Sequence, residues 1–169
     1  TAMELCRRIK DMPNIVLAGI AVHIGSQMTD LAPLAEAFKR IAALVKDLRE
    51  QGTAISTVDL GGGLGITYKD EVPPDLDQYA ELIRDISLPL DVHVIIEPGR
   101  SIAGNAGVLL TRVLHIKKGE NKKFLIIDAA MNDLLRPSLY GAHHPIIPCV
   151  EPKIKQDKTE FDIVGPVCE

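Results

Sequence analysis

Three short polar runs each stand directly behind an apolar, β-branched stretch: His23-Ile24-Gly25-Ser26-Gln27, Gly61-Gly62-Gly63-Leu64-Gly65 and Glu97-Pro98-Gly99-Arg100. The glycine run can bring backbone N–H groups against a phosphate, because a residue without Cβ allows close approach and positive φ. The same five residues also suit a flexible turn. A dinucleotide fingerprint fails on spacing, since its helix begins inside the glycine run and here the next helical pattern starts near Pro74. The first run sets an imidazole, a hydroxyl and an amide at one strand end. A histidine there is either a satisfied structural residue or a group facing a ligand. In the third run a carboxylate, Glu97, lies near a guanidinium, Arg100, as an ordinary ion pair or as two ligand contacts.

Further along, Arg136-Pro137-Ser138-Leu139-Tyr140 lies in an expected loop and offers a fork for a carboxylate beside a phenol. Arg136 suits a solvated surface equally well. Cys168-Glu169, behind Gly165-Pro166, pairs a thiol with a carboxylate, which by itself says little about reactivity. His143, His144 and Cys149 match the spacing of no standard metal site, so no metal is expected.

The elements that must position these groups follow from periodicity. The start of the chain reads as the tail of a helix that begins outside the sequence. Residues 14–25 are aliphatic without strict alternation, as in a strand buried on both faces of a parallel sheet. Thr29 and Asp30 can cap a helix with Leu31, Leu34, Ala35, Phe38, Ile41, Ala42, Val45 and Leu48 on one face, ended by Gly52. Residues 55–60 give a second strand. Pro73-Pro74-Asp75 opens another helix, with Leu76, Tyr79, Ala80, Ile83 and Ile86 inward, and residues 90–96 give a third strand. Strand, helix, strand, helix, strand is the order of an α/β parallel sheet, with its polar motifs at the C-terminal strand ends where such folds bind ligands. Beyond about Gly104 a hairpin around Glu120-Asn121 and a strand at 160–164 predict a second, all-β unit.

Composition narrows the function. With 169 residues, 19 Lys+Arg against 23 Asp+Glu and a net charge of −4, the chain lacks the basic block that phosphate-backbone binding requires. Nucleic acid is not an expected partner. Its longest apolar stretch, from Val16 to Val22, is far below the ~20 residues of a membrane span. Three widely spaced cysteines outline no disulfide framework, and a reducing cytoplasm is the expected location.

Taken jointly, HIGSQ, DLGGGLG, EPGR, DAAMNDLLRPSLYGAHHPI and GPVCE, in that order, resemble the fold type III pyridoxal-phosphate decarboxylases. HIGS, GGG and EPGR are shared across that group. The MNDLLRPSLYGAHHPI segment and a CE pair resemble its branch acting on meso-2,6-diaminopimelate, which yields L-lysine and carbon dioxide in the last step of lysine biosynthesis. The resemblance implies a (β/α)8 barrel followed by a β domain. Residues 1–103 would be the C-terminal portion of the barrel and residues 104–169 the start of the β domain. It implies pyridoxal 5′-phosphate as cofactor, with His23 against its ring, and Ser26 with Gly61, Gly62 and Gly63 at its phosphate. Glu97, in the run with Pro98 and Gly99, would face the pyridine nitrogen. Arg100 would touch phosphate and substrate, while Arg136 and Tyr140 would grip a substrate carboxylate. Cys168 would return a proton to the product and Glu169 would bind the substrate's far end, both reaching the neighbouring subunit's site in a homodimer. Arg136 and Glu169 are the opposite charges that a substrate with an amino-carboxylate at each end requires. Losing one such contact costs ~2–5 kcal/mol.

The lysine that carries the cofactor in this group lies on an earlier strand than any in this sequence, so the chain is expected to be part of a longer enzyme and inactive alone. An ornithine- or arginine-type decarboxylase, or a non-catalytic homologue that binds a partner, are the competing readings.

Overall fold

The computed structural model describes residues 1–150 and 159–167. The chain divides into two compact units, residues 1–106 and 107–169.

In the first unit α1 (Ala2–Ile9) is capped at Thr1, whose hydroxyl accepts the Glu4 N–H at 3.2 Å. Strand β1 (Gly19–Ala21), helix α2 (Ala32–Glu50), strand β2 (Thr57–Asp59), helix α3 (Leu76–Leu90), strand β3 (His93–Ile95) and the short helix α4 (Gly99–Ala103) follow. The strands pair in parallel in the order β1-β2-β3, with Ile20 opposite Val58 and Val58 opposite Val94. Each crossover is a helix, as a parallel pair requires.

The expected apolar face of α2 is the one that packs: Leu34, Phe38, Ile41, Val45 and Leu48 are buried. They meet Val58 of β2 and, more loosely, Ile20 and Val94, all on one sheet face. By strand alternation Gly19, Ala21, Thr57, Asp59, His93 and Ile95 lie on the opposite face. There Ala21 of β1 is exposed, so the reading of β1 as buried on both faces does not hold within this unit.

Several boundaries differ from expectation for local reasons. The first position of α2 is preceded by Leu31 as cap, not by Thr29 or Asp30, although the Asp30 carboxylate still accepts the Ala32 N–H at 2.9 Å. Gly52, at φ +76, sits just past the helix end, and Thr53 N–H closes on Leu48 O at 2.9 Å. Helix α3 begins after Asp75, whose side chain accepts from Asp77 and Gln78 N–H. It keeps Tyr79 buried against Phe38, with ring centroids 6.4 Å apart, but leaves Leu76 largely exposed in its first turn. Leu90, expected in the third strand, instead ends α3, and Asp91 turns the chain at φ +47. Arg49 ties these connections together: its guanidinium donates to Ile55 O and to Leu90 O.

The second unit contains β4 (Val113–Lys118), β5 (Lys123–Ile127), helix α5 (Arg136–Tyr140) and β6 (Asp162–Val164). β4 and β5 form the expected antiparallel hairpin, with an irregularity between Val113 and His115, and β6 adds in parallel to β5. The unit is not all-β. Arg136–Tyr140, expected in a loop, is helical because Pro137 supplies a helix-ready φ in the first turn and Gly141, at φ +59, ends it.

Candidate active site

The three parallel strands of the first unit end side by side, and each runs straight into one of the three polar motifs. β1 leads through Val22 to His23, β2 through Leu60 to Gly61, and β3 through Ile96 to Glu97. Pairing continues past the regular strands. Val22 N–H donates to Asp59 O and Leu60 N–H to Ile95 O, each at 2.9 Å, and Glu97 N–H donates to Gly61 O at 2.8 Å. His23, the glycine run and Glu97 are therefore held in one row, with the glycines in the centre.

A Cβ on Gly61 would collide with Val22 O and come within 3.2 Å of His23 Nδ1. One on Gly62 would strike the Glu97 carbonyl oxygen, and one on Gly63 would strike Gly25 O and Met28 Cε. Gly61 and Gly63 also take positive φ, +68 and +108. The backbone of the glycine run is wedged between the two flanking loops. The Asp59 carboxylate accepts the Gly61 N–H at 2.8 Å and fixes the entry to the turn. Among the described residues the Gly62 and Gly63 N–H groups have no hydrogen-bond acceptor. Two free donors on a positive-φ turn are a concavity suited to an anion.

Ser26 is exposed in the loop after β1, next to Gly25, whose carbonyl abuts Gly63. Pro98 caps α4, Gly99 opens it with its N–H on Glu97 O at 2.8 Å, and Arg100 lies half-buried in its first turn. His23 and Glu97 are both exposed, leaving imidazole and carboxylate available to a ligand.

In the second unit the Arg136 guanidinium carbon lies 5.5 Å from the centre of the Tyr140 ring, a cation–π contact within α5. Cys168 and Glu169 lie outside the described residues.

Two contributors carry roles that their residue types and spacing did not signal. Asp59 falls inside the expected strand 55–60, and nothing in the spacing marks its carboxylate as the turn's acceptor. Gln27 was noted only as an amide at a strand end, yet its side chain accepts the Ile66 N–H at 3.2 Å and donates to Ile66 O.

The row of strand ends, with a glycine-lined turn at its centre, is the arrangement of a ligand site on an α/β frame. Residues 1–104 match the family described as pyridoxal-dependent decarboxylase, pyridoxal binding domain, and the chain belongs to that family. A diaminopimelate decarboxylase of Neisseria meningitidis serogroup A is 51% identical over 168 residues, which is 99% of this chain and 41% of that protein. The crystal structure of diaminopimelate decarboxylase from Helicobacter pylori complexed with L-lysine superposes with a TM-score of 0.89 at 42% identity, over 99% of this chain and 41% of that one. A lysine/ornithine decarboxylase from Vibrio vulnificus complexed with cadaverine gives 0.82 at 25% identity, over 99% of this chain and 45% of that one. The chain thus spans about two fifths of the length of the curated relatives it matches.

Proposed function

We propose that the full-length protein is a pyridoxal-phosphate-dependent carboxy-lyase that converts meso-2,6-diaminopimelate to L-lysine and carbon dioxide. One observation carries this reading: His23, the glycine run and Glu97 stand in a single row at the ends of adjacent parallel strands. The identity of the relatives supports the substrate: among solved structures the Helicobacter pylori diaminopimelate decarboxylase matches at 42% and the lysine/ornithine enzyme at 25%. On the same reading the three βα units of residues 1–103 are consecutive units of a (β/α)8 barrel. Residues 104–169 open the β domain. A cytoplasmic homodimer with shared sites completes the proposal; no helix among the described residues is long and apolar enough to cross a membrane.

The residues present fit the cofactor. The Gly62 and Gly63 N–H groups and the Ser26 hydroxyl would hold its phosphate, in a cradle that three Cβ atoms would fill. His23 would lie against the ring. Bound pyridoxal phosphate supplies an electron sink for the pair left behind when a carboxylate departs. Glu97 would keep the pyridine nitrogen protonated, the state in which the ring withdraws electrons best. Arg100 would bridge phosphate and substrate. Arg136, steadied by Tyr140, would take the substrate's non-reacting carboxylate through its fork, and Glu169 would meet the far ammonium. Cys168 would deliver the proton that replaces the lost carboxylate.

The test is turnover of diaminopimelate, ornithine and arginine by the purified full-length protein. Release of lysine from diaminopimelate alone is expected. Turnover of ornithine alone would overturn the substrate assignment, and failure to bind pyridoxal phosphate would overturn the whole reading. Cys168→Ala should slow turnover far more than it weakens cofactor binding.

A further inference from the structure

Gln27 takes φ +59, a conformation uncommon for a long side chain outside glycine and asparagine. Its carboxamide spans to the loop after β2, where Nε2 donates to Ile66 O and Oε1 accepts the Ile66 N–H at 3.2 Å. Ile66 is only 6% exposed, so these peptide groups have little water to turn to. One residue on, Met28 N–H donates to Gly63 O at 2.9 Å and Gly65 N–H donates to Met28 O at 2.8 Å, with Met28 bridging Leu64. The loop carrying Ser26 is thereby stitched to the loop carrying Gly62 and Gly63 by four hydrogen bonds, two of them from one side chain.

The chemistry requires an amide. At neutral pH a carboxamide offers, side by side, the acceptor and the donor that the N–H and C=O of one residue require. A carboxylate of equal size keeps the first bond and turns the second into a repulsion with Ile66 O.

We propose that Gln27 is a positioning residue that sets Ser26 against the Gly62 and Gly63 N–H groups, so that one anion meets both loops at once. This rests on the cofactor reading above and extends it to a residue that touches neither cofactor nor substrate. Its effect belongs to the phosphate and not to the ring.

The experiment titrates the full-length apoprotein with pyridoxal 5′-phosphate and, separately, with pyridoxal, which lacks the phosphate. Melting of each apoprotein is followed in parallel. Gln27→Glu should weaken pyridoxal phosphate roughly 10-fold or more, the loss expected when one hydrogen bond to a charged group is given up as Ser26 shifts, while pyridoxal binding changes little. Gln27→Met, which drops both bonds without adding charge, should show the same selectivity and is read in place of Gln27→Glu if that variant does not fold. Equal weakening of both ligands, unchanged affinity, or loss of a folded apoprotein in both variants would overturn the proposal. Ser26→Ala separates the two levels. If it leaves the preference for the phosphorylated ligand intact, the phosphate-site reading itself fails; if it abolishes that preference while the Gln27 variants do not, only the role of Gln27 falls.

Discussion

The two units place their candidate residues by different means. In the first, the row of His23, Gly61 to Gly63 and Glu97 rests on a sheet whose helix-covered face holds Phe38, Val45 and Val58 at 1% exposure or less. In the second, Arg136 stands on a five-residue helix, and the one buried apolar residue of that unit among those described is Ala129. The backbone of the first site is fixed by strand pairing that continues into the motifs. In the second, the guanidinium stands on one helical turn with the Tyr140 ring beside it. A site that must hold a rigid, phosphate-bearing group suits the first arrangement. The substrate contact proposed for Arg136 asks less of the backbone, since a single half-buried side chain carries it.

The largest expected effect comes from breaking the layer under the first site. Phe38→Ala should destabilise the protein by about 3–5 kcal/mol, since it empties a fully buried ring site that Tyr79 alone cannot fill. A loss below about 1 kcal/mol in denaturant titration would show that the strand ends are held from elsewhere. Next, Gly62→Ala should cost about 1–3 kcal/mol, because the new Cβ meets the Glu97 carbonyl. Gly99→Ala, with nothing within 4 Å of the added carbon, should be neutral by the same measurement. Equal effects would mean the central wedge is not tight.

The second site is tested with Arg136→Lys. It should raise the Michaelis constant for diaminopimelate roughly tenfold with cofactor affinity unchanged, the reverse of Ser26→Ala, because an ammonium cannot reproduce a bidentate fork. A parallel fall in cofactor affinity would erase the division of labour between the units.

The smallest effect concerns one exposed carboxylate in each unit. Glu71 is held below its ordinary pKa by backbone N–H donors, chiefly Lys69 and also Tyr68, and Asp128 by the Arg112 N–H and then the Thr111 hydroxyl. Both folded-state values lie below the unfolded ones, so the stabilisation is complete above about pH 4–5 and fades as pH falls through the lowered values. Urea midpoints measured from pH 5 downward should drop less steeply in Glu71→Gln and Asp128→Asn than in the parent. Identical slopes would show that neither loop contributes.

Much of the first unit was legible in the chain. The inward face of α2 followed from 3.6-residue spacing alone, since a helix repeats its contacts locally and needs no partner to define its face. The motifs announced themselves through residue type, as glycines, a histidine and a glutamate behind aliphatic runs. Strand extent was not legible. Residues 14–25 contain only a three-residue strand, and Leu90 went to a helix, because strand boundaries are set by which neighbours offer hydrogen bonds. Arg136–Tyr140 was missed as a helix because five residues carry too little periodicity to recognise.

Residue order alone settles the α/β alternation, the covered helix faces and the chemical types available at each strand end, since these depend on neighbours a few positions apart. That Gly62 lies under Glu97, that Asp59 holds Gly61, and that Gln27 ties down Ile66 across 39 positions emerge only when the strands pair. Contacts between residues distant in the chain leave no period to read, and three-dimensional closure alone decides which backbone donors find an acceptor.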